Sequence, residues 1–314
     1  MTRRLGVVMD PIDAINPKKD STLAMMLAAQ RRGWQLFVIE LSGLYSTGGH
    51  VQAIASEVTV DDDANHWFSL VREIDRKLTF FDAVLMRKPA FNMRIHLRDI
   101  PARDGGGRGC PVLNRPGSIR DCNEKLFTLR FPQCCPPHIV SRDATKLKGF
   151  HAEHGDVIYK PLDGMGGESI FRVGPDAANI NVIIETLTAH GGRQIMAQRY
   201  LPEISRGDTR ILLINGEPVP YGLARIPSAG ETRGNLAAGG EGVGRELTER
   251  DYWICEQVGP SLTERGLYFT GIDVIGDNLT EINVTCPTCI RELDRAFDID
   301  IAGQYMDFVE TLMD

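Results

Sequence analysis

A strand-like run that ends in a lysine and a glycine loop restricts the fold of this chain more than any other feature. Residues 156–160 (Asp-Val-Ile-Tyr-Lys) favour a β-strand, and residues 161–167 (Pro-Leu-Asp-Gly-Met-Gly-Gly) follow at once. Glycines lack a Cβ atom, so the backbone N–H groups of such a loop can close around an anion, and Lys160 adds a positive charge beside them. The pattern is typical of phosphate binding. A hairpin whose lysine has no role in binding is the alternative.

The loop differs from the two common phosphate-binding motifs. The lysine precedes the glycines, whereas in a P-loop it follows them. The glycines are spaced Gly-x-Gly-Gly, which does not fit the fingerprint of dinucleotide-binding proteins. The sequence therefore predicts a phosphate site of another kind.

Two strand-like segments near the C-terminal end carry a second set of polar residues. Residues 271–275 and 279–285 are joined by Gly-Asp, which is typical of a hairpin turn. Alternation along a strand places Glu281 and Asn283 on one face, and Asp273 lies near them if the hairpin pairs across its turn. Two carboxylates and an amide oxygen suit Mg²⁺. A solvated strand face is the alternative, but the phosphate loop in the same chain favours the metal.

A glycine-rich segment and three arginines lie between these two sets. Residues 230–240 contain four glycines and small side chains, and a loop of this kind can close over a reaction site. Arg210, Arg225 and Arg233 are suited to bidentate contacts with carboxylate or phosphate, although each could instead be an exposed solubilising charge. Arg225 is the strongest candidate because its apolar neighbours are predicted to be buried.

Composition limits the class of protein. The 314 residues are 42% hydrophobic and 25% charged, which predicts a globular enzyme of two or three structural units. The net charge of −7 and the absence of a long basic run argue against nucleic-acid and anionic-membrane partners. Neither a signal peptide nor a bilayer-spanning apolar run is evident, so a cytoplasmic location is predicted.

The cysteines are predicted to be reduced thiols. Seven is an odd number, and the cytoplasmic prediction implies a reducing compartment. Cys286 and Cys289 form a Cys-x-x-Cys pair. No second pair and no histidine cluster accompanies it, so zinc binding is not expected.

The order of predicted elements indicates two kinds of architecture. Strands at residues 5–9, 34–41 and 83–86, with a helix that Asp20 would cap, predict a parallel α/β domain at the N-terminus. A further helix is predicted to begin at Asp121.

The later part of the chain has a different pattern. Strands are predicted near residues 156–160, 169–173 and 194–200, in an α+β arrangement. The remainder, from about residue 201, is rich in strands and glycine loops.

The ordered motifs resemble the ATP-grasp superfamily, and within it the bacterial glutathione synthetase family. The superfamily resemblance rests on Lys125, Lys160 with its glycine loop, Asp273, Glu281 and Asn283. The family resemblance rests on residues 6–12, 120–126, 161–167, 231–240 and 280–285, and it spans almost the whole chain.

The resemblance implies a fold and a reaction. The fold is α/β: an N-terminal parallel α/β (pre-ATP-grasp) substrate-binding domain over residues 1–121, a central ATP-grasp lobe over 122–200, and a C-terminal lobe over 201–314 with the metal site and lid. ATP would phosphorylate the C-terminal carboxylate of γ-glutamylcysteine, and the amine of glycine would attack the acylphosphate to give glutathione, ADP and phosphate. Mg²⁺ or Mn²⁺ would assist, and the chain would form a homo-oligomer, a tetramer.

The resemblance also implies roles for individual residues. ATP binding falls to Lys125, Lys160, Gly164, Gly166, Gly167, Gln198, Tyr200, Leu201 and Asp208. Catalysis falls to Arg210, Arg225 and Asn283. The substrate and lid residues are Arg233, Gly234, Asn235, Gly239 and Gly240. The metal ligands are Asp273, Glu281 and Asn283.

Two other classes of function stay open at this point. One is a different ATP-grasp carboxylate–amine ligase, such as a D-alanine–D-alanine ligase, or a lysine-biosynthesis or ribosomal-protein glutamate ligase. The other is a nucleotide-binding protein without catalysis, although the presence of both lysines and all three metal ligands argues against it.

Residues 94–109 depart from the family pattern. The family has a helix at this place, but Pro101 and three consecutive glycines oppose one, at about 3 kcal/mol for proline and about 1 kcal/mol for each glycine. A codon choice exists for this segment that, read one base later, encodes a helix-favouring string of the family type. We therefore hypothesise that residues 94 to about 111 are read out of frame, with genuine local divergence as the alternative. A true shift would lower stability and leave activity weak or absent.

Overall fold

The computed structural model describes residues 2–88, 109–164, 166–176, 178–228, 230, 231, 234 and 239–313. Residues 94–108 of the divergent segment, and the predicted lid residues Arg233 and Asn235, lie outside these ranges. Within them, no helix is both long enough and apolar enough to cross a bilayer.

The described ranges contain sixteen strands and seven α-helices. The strands are β1 (Arg4–Val8), β2 (Gln35–Ile39), β3 (Leu44–Thr47), β4 (His50–Val60), β5 (Phe68–Lys77), β6 (Ala83–Met86), β7 (Val112–Leu113), β8 (His138–Ser141), β9 (Val157–Pro161), β10 (Phe171–Val173), β11 (Ile195–Arg199), β12 (Asp208–Ile214), β13 (Glu217–Ile226), β14 (Glu241–Glu246), β15 (Phe269–Ile275) and β16 (Asn278–Asn283). The helices are α1 (Ser21–Arg31), α2 (Pro116–Asp121), α3 (Ala144–His154), α4 (Ile180–Thr188), α5 (Glu249–Glu264), α6 (Ile290–Phe297) and α7 (Ile301–Thr311).

The first seven strands form one sheet with a parallel centre. Its order is β3-β4-β2-β1-β6-β7, and β5 pairs with β4. β1 pairs in parallel with β2 and β6, and β6 pairs in parallel with β7. All four residues of β6 are buried, as expected for a central strand covered on both faces. The predicted parallel α/β unit is therefore confirmed.

The outer part of this sheet is antiparallel, which the sequence analysis did not predict. β4 pairs antiparallel with β2, β3 and β5. The turn between β3 and β4 consists of Gly48 and Gly49, which have φ values of 58° and 77°. Such a tight turn joins antiparallel neighbours, whereas a parallel pair needs a long crossover connection.

Helix α1 begins as the sequence predicts, and it packs against the C-terminal helix α7. The carboxylate of Asp20 accepts a hydrogen bond from the backbone N–H of Leu23 at 2.7 Å, which is a typical N-cap. The apolar side of α1 packs in the core of the first sheet, and α7 packs against α1. Arg32 pairs with Asp307 of α7 at 2.5 Å, so the C-terminal helix lies on the N-terminal unit.

The later strands form two antiparallel sheets. One has the order β10-β9-β11-β8, and the other has the order β14-β13-β12-β15-β16. The strands predicted near residues 156–160, 169–173 and 194–200 correspond to β9, β10 and β11. Helices α3 and α4 cover one face of the smaller sheet, where Leu147 and Tyr159 are fully buried.

The prediction that a helix begins at Asp121 is wrong. Helix α2 ends at this residue, and it begins five residues earlier with Pro116 in its first turn, where proline is well tolerated. The side-chain oxygen of Asn123 then accepts hydrogen bonds from the backbone N–H groups of Lys125 and Leu126. This local turn redirects the chain, and only a 3₁₀ segment follows.

Asn114 is expected to be the most important single polar residue for stability. It is 3% exposed, its amide donates to the carbonyl oxygens of Phe269 (2.8 Å) and Val284 (2.6 Å), and its oxygen accepts from the N–H of Phe269 (2.9 Å). Asn114→Ala leaves these groups buried without partners, so the free energy of unfolding should fall by roughly 2–4 kcal/mol. Urea unfolding checks this value, with the exposed Asn65→Ala as the control; equal stability of the two variants would contradict it.

Candidate active site

A cleft between the two antiparallel sheets contains most of the residues predicted to bind ATP. The open space within it, including solvent at its mouth, is about 840 Å³. It is lined by Lys125, Ile158, Lys160, Pro161, Gly164, Gly166, Gly167, Glu168, Ile170, Gln198, Tyr200, Leu201, Ile204, Asp208, Gly234, Ile275, Thr280 and Glu281.

The glycine loop after β9 forms one end of the cleft. Gly164, Gly166 and Gly167 have φ values of 127°, 67° and 80°, which side-chain-bearing residues rarely adopt. The Lys125 ammonium lies 3.4 Å from the carbonyl oxygen of Gly164. Lys160 extends from β9 beside the loop and is 4% exposed. Two lysines and a glycine backbone thus converge, as the sequence predicts.

The two lysines lie in different electrostatic surroundings. Burial lowers the pKa of Lys160. Burial also acts on Lys125, but Glu281 and Glu124 outweigh it and raise the pKa of Lys125. The Lys125 ammonium lies 3.3 Å from the Glu281 carboxylate. Lys125 is therefore held charged by the protein itself, whereas an anionic ligand beside Lys160 would favour the charged form that burial disfavours.

The β15–β16 hairpin brings the three predicted metal ligands together. Asp273 and Glu281 are direct partners across the two strands. The amide nitrogen of Asn283 donates to the Asp273 carboxylate at 3.2 Å. The predicted pairing of this hairpin is therefore confirmed.

Two buried arginines surround the same aspartate. Arg210 makes a bidentate contact to Asp273, at 2.5 and 2.9 Å. Arg225 lies 3.0 Å from Asp273 and 2.5 Å from Asp208. Burial opposes ionisation of Asp273, but the two arginines outweigh it and hold its pKa below the usual range. The predicted burial of Arg225 is confirmed, since it is 4% exposed.

Burial makes ionisation of two carboxyls in this region less favourable. Burial raises the pKa of Asp208 to about 7 although Arg225 opposes it, and one oxygen of Asp208 is buried with no hydrogen-bond partner. Burial and then Glu281 raise the pKa of Glu124 to about 7. Glu124 is a residue that sequence reasoning missed; its only signal is its position next to Lys125.

The opposite end of the cleft is apolar. Gln198 lies on β11, Tyr200 and Leu201 follow it, and all three line the cleft. The other apolar residues of the cleft, Ile158, Ile170, Ile204 and Ile275, were missed by the sequence analysis. Ile158 alternates with core residues of β9, so the same alternation that points Lys160 into the cleft could have identified it.

Comparisons with known proteins identify the family of this chain. Models of the prokaryotic glutathione synthetase N-terminal domain and ATP-grasp domain match residues 4–120 and 124–298. The glutathione synthetase of Pseudomonas syringae pv. tomato is 57% identical over 311 residues, which cover 99% of this chain and 98% of that protein. This chain belongs to the prokaryotic glutathione synthetase family. The glutathione synthetase of Pseudomonas aeruginosa is also 57% identical, over 98% of both chains.

Solved structures share the ATP-grasp fold of the family. The D-cycloserine synthetase DcsG superposes with a TM-score of 0.65 at 16% identity, covering 98% of this chain and 99% of that one. The ATP-grasp ligase PsnB, in a complex with a minimal precursor, Mg and ADP, superposes with a TM-score of 0.60 at 18% identity, covering 98% of both chains. These similarities support the fold only.

The donor set of this glutathione synthetase family member fits a hard cation. Asp273, Glu281 and Asn283 offer carboxylate and amide oxygens, the ligands that Mg²⁺ prefers, and Glu281 is a group that, after burial, raises the pKa of nearby Glu124. No cluster of three His, Cys, Asp or Glu side chains suited to a metal ion occurs in the described ranges. The set contains two carboxylates, so an amide would have to be the third ligand.

The described part of the predicted lid touches the cleft at one residue. Gly234 lines the cleft. Its carbonyl lies so close to Gly240 that a Cβ atom there would be 2.5 Å from the oxygen, and the carbonyl of Gly239 accepts a hydrogen bond from Ser228 at 2.7 Å. The structure thus brings the two ends of the segment together.

The cysteines near the site are expected to be dispensable. Burial raises the pKa of both Cys286 and Cys289, and the nearby arginines only partly oppose it, so both thiols are protonated at neutral pH. Cys286→Ser and Cys289→Ser should each keep the wild-type rate of ADP release. A folded serine variant without activity would contradict this expectation.

Proposed function

We infer that this chain is an ATP-dependent ligase that joins γ-glutamylcysteine and glycine into glutathione. The inference rests on one observation above all: in a member of this family, two lysines, a glycine loop and a buried arginine–carboxylate cluster converge on one cleft. The carboxylate of γ-glutamylcysteine attacks the γ-phosphorus of ATP and ADP leaves. The glycine amine then attacks the carbonyl carbon, and the bond to the phosphate oxygen breaks.

The nucleotide would lie along the length of the cleft. Lys125, Lys160 and the loop of Gly164, Gly166 and Gly167 would hold the phosphates, because they supply positive charge and open backbone N–H groups. The apolar end with Gln198, Tyr200 and Leu201 would hold the adenine. One carboxylate oxygen of Asp208 is buried and accepts no hydrogen bond. A ribose hydroxyl would supply the missing donor.

The metal site is assigned to Asp273, Glu281 and Asn283, with Mg²⁺ or Mn²⁺ as the ion. When bound, such a cation neutralises charge on the phosphates. Both oxygens of Asp273 contact arginine side chains in the structure, so a cation bound there would replace part of those contacts.

The arginines are assigned to the reacting groups. Arg210, Arg225 and Asn283 would stabilise the acylphosphate and the substrate carboxylate, since phosphoryl transfer depends mainly on positioning and charge neutralisation. An acylphosphate hydrolyses in water, so a closing segment has a clear purpose. We assign that role to Arg233, Gly234, Asn235, Gly239 and Gly240, supported by the position of Gly234 in the cleft.

The organisation of the molecule is proposed as three units. Residues 1–121 would bind substrate, 122–200 would form the central lobe, and 201–314 the C-terminal lobe. The strands of the two antiparallel sheets support the boundary near residue 200. One sheet contains β8 to β11, and the other contains β12 to β16. A homotetramer and a cytoplasmic location, without nucleic-acid or membrane partners, stay predictions.

Substrate-dependent ADP release tests the function. With ATP and Mg²⁺, we expect release that requires γ-glutamylcysteine and glycine together, and mass spectrometry should identify glutathione. D-alanine alone, or glutamate as the acceptor, should not replace them. Release that is independent of γ-glutamylcysteine would contradict the assignment, and nucleotide binding without any turnover would favour the non-catalytic alternative.

A further inference from the structure

An ion pair lies at the edge of the smaller sheet, beside the cleft-lining Tyr200. Arg172 of β10 makes a bidentate contact to Asp156, which immediately precedes β9. The Nε atom of Arg172 lies 3.0 and 3.2 Å from the two carboxylate oxygens, and Nη2 lies 2.6 Å from one of them. The arginine side chain is 40% exposed and the aspartate 27%. The two planar groups therefore hold each other in a defined orientation at the surface.

The same pair holds Tyr200 in two ways. The guanidinium carbon of Arg172 lies 3.6 Å from the centre of the Tyr200 ring, which is a close cation–π contact. The backbone N–H of Tyr200 donates to the carbonyl oxygen of Asp156 at 2.9 Å. Ring and backbone of Tyr200 are thus fixed to one two-residue unit.

This unit contacts a residue of the cleft but is not part of the core of the sheet. In the described part of the chain, Tyr200 lines the cleft but Arg172 and Asp156 do not. The core of this sheet lies on the other side of β9, around Val157 and Tyr159. Since exposed ion pairs contribute little to stability, the pair has little effect on whether the sheet folds. The main effect of the ion pair is on the position of the Tyr200 ring.

We propose that Arg172, oriented by Asp156, is a positioning residue that fixes the Tyr200 ring for binding of the nucleotide base. This proposal rests on the proposed function, because it takes residues 198–201 as the adenine end of the cleft. We expect the pair to act on the base and not on the phosphates, because its contacts go to Tyr200.

The first test compares ligands that share the phosphates but not the base. In Arg172→Met we expect the KM for ATP and the inhibition constant of ADP to rise by about three- to tenfold, as for loss of one cation–π contact. The inhibition constant of inorganic pyrophosphate, the KM for γ-glutamylcysteine, kcat and the melting temperature should stay unchanged. Arg142→Met removes a charge from an exposed position in the same lobe and should change none of these values.

Two further variants separate positioning from simple charge. Arg172→Lys keeps the charge but loses the planar fork, so its KM for ATP should resemble that of Arg172→Met. In a Tyr200→Leu background, Arg172→Met should add no further effect. An unchanged ADP constant in Arg172→Met, or equal losses for ADP and pyrophosphate, would overturn the proposal. Failure of the wild-type protein to make glutathione would instead overturn the proposed function, and direct titration with ADP would still test the pair.

Discussion

Replacing Glu281 with glutamine is expected to abolish ligation and leave the fold intact. The substitution removes one charge from the proposed metal site with little change in volume. It also removes a charge that, after burial, raises the pKa of Glu124, so the relief of that repulsion offsets the loss of the contact to Lys125. We expect kcat to fall by about two orders of magnitude or more, as for other groups that stabilise charge in the transition state.

The measurement is ADP release at saturating Mg²⁺ together with thermal unfolding. Glu153→Gln is the matched control, because its carboxylate is 73% exposed on α3 and should be silent in both assays. Wild-type activity of the Glu281 variant at saturating Mg²⁺ would remove Glu281 from the metal site.

Lys160→Met is expected to lower kcat/KM for ATP by roughly two to three orders of magnitude. Lys160 is 4% exposed, and methionine can fill the space of its apolar stem. The fold should therefore persist, while the phosphates lose a charged donor that no water replaces. Lys148→Met, at an exposed position of α3, is the control. A folded Lys160 variant that binds ADP as tightly as the wild type would contradict the phosphate role.

Local sequence patterns predicted many of the residues that line the cleft because those residues lie in short segments. Lys160 lies in the same run as its glycine loop, and Glu281 and Asn283 lie on one strand. Alternation alone therefore fixes which side chains share a face. The capped start of α1 is also local, since Asp20 bonds to a backbone group three residues away.

The remaining features depend on contacts between distant parts of the chain. The helix expected at Asp121 fails because Asn123 competes for the backbone N–H groups that a helix would use. The pairing of Arg210 with Asp273 joins residues 63 positions apart, and the burial of Glu124 follows from the same assembly. No local pattern encodes such encounters. The divergent segment at residues 94–108 lies outside the described ranges, so the reading-frame hypothesis stays a prediction that resequencing of the gene decides.

Transfer of a labelled oxygen tests the central claim, that the carboxylate of γ-glutamylcysteine is activated as an acylphosphate. The substrate is prepared with ¹⁸O in its C-terminal carboxylate and turned over with unlabelled ATP and glycine in unlabelled water. Because the amine displaces the phosphate at the carbonyl carbon, the account predicts one ¹⁸O atom in the phosphate for each glutathione formed. Phosphate without ¹⁸O, accompanied by stoichiometric glutathione, would contradict it.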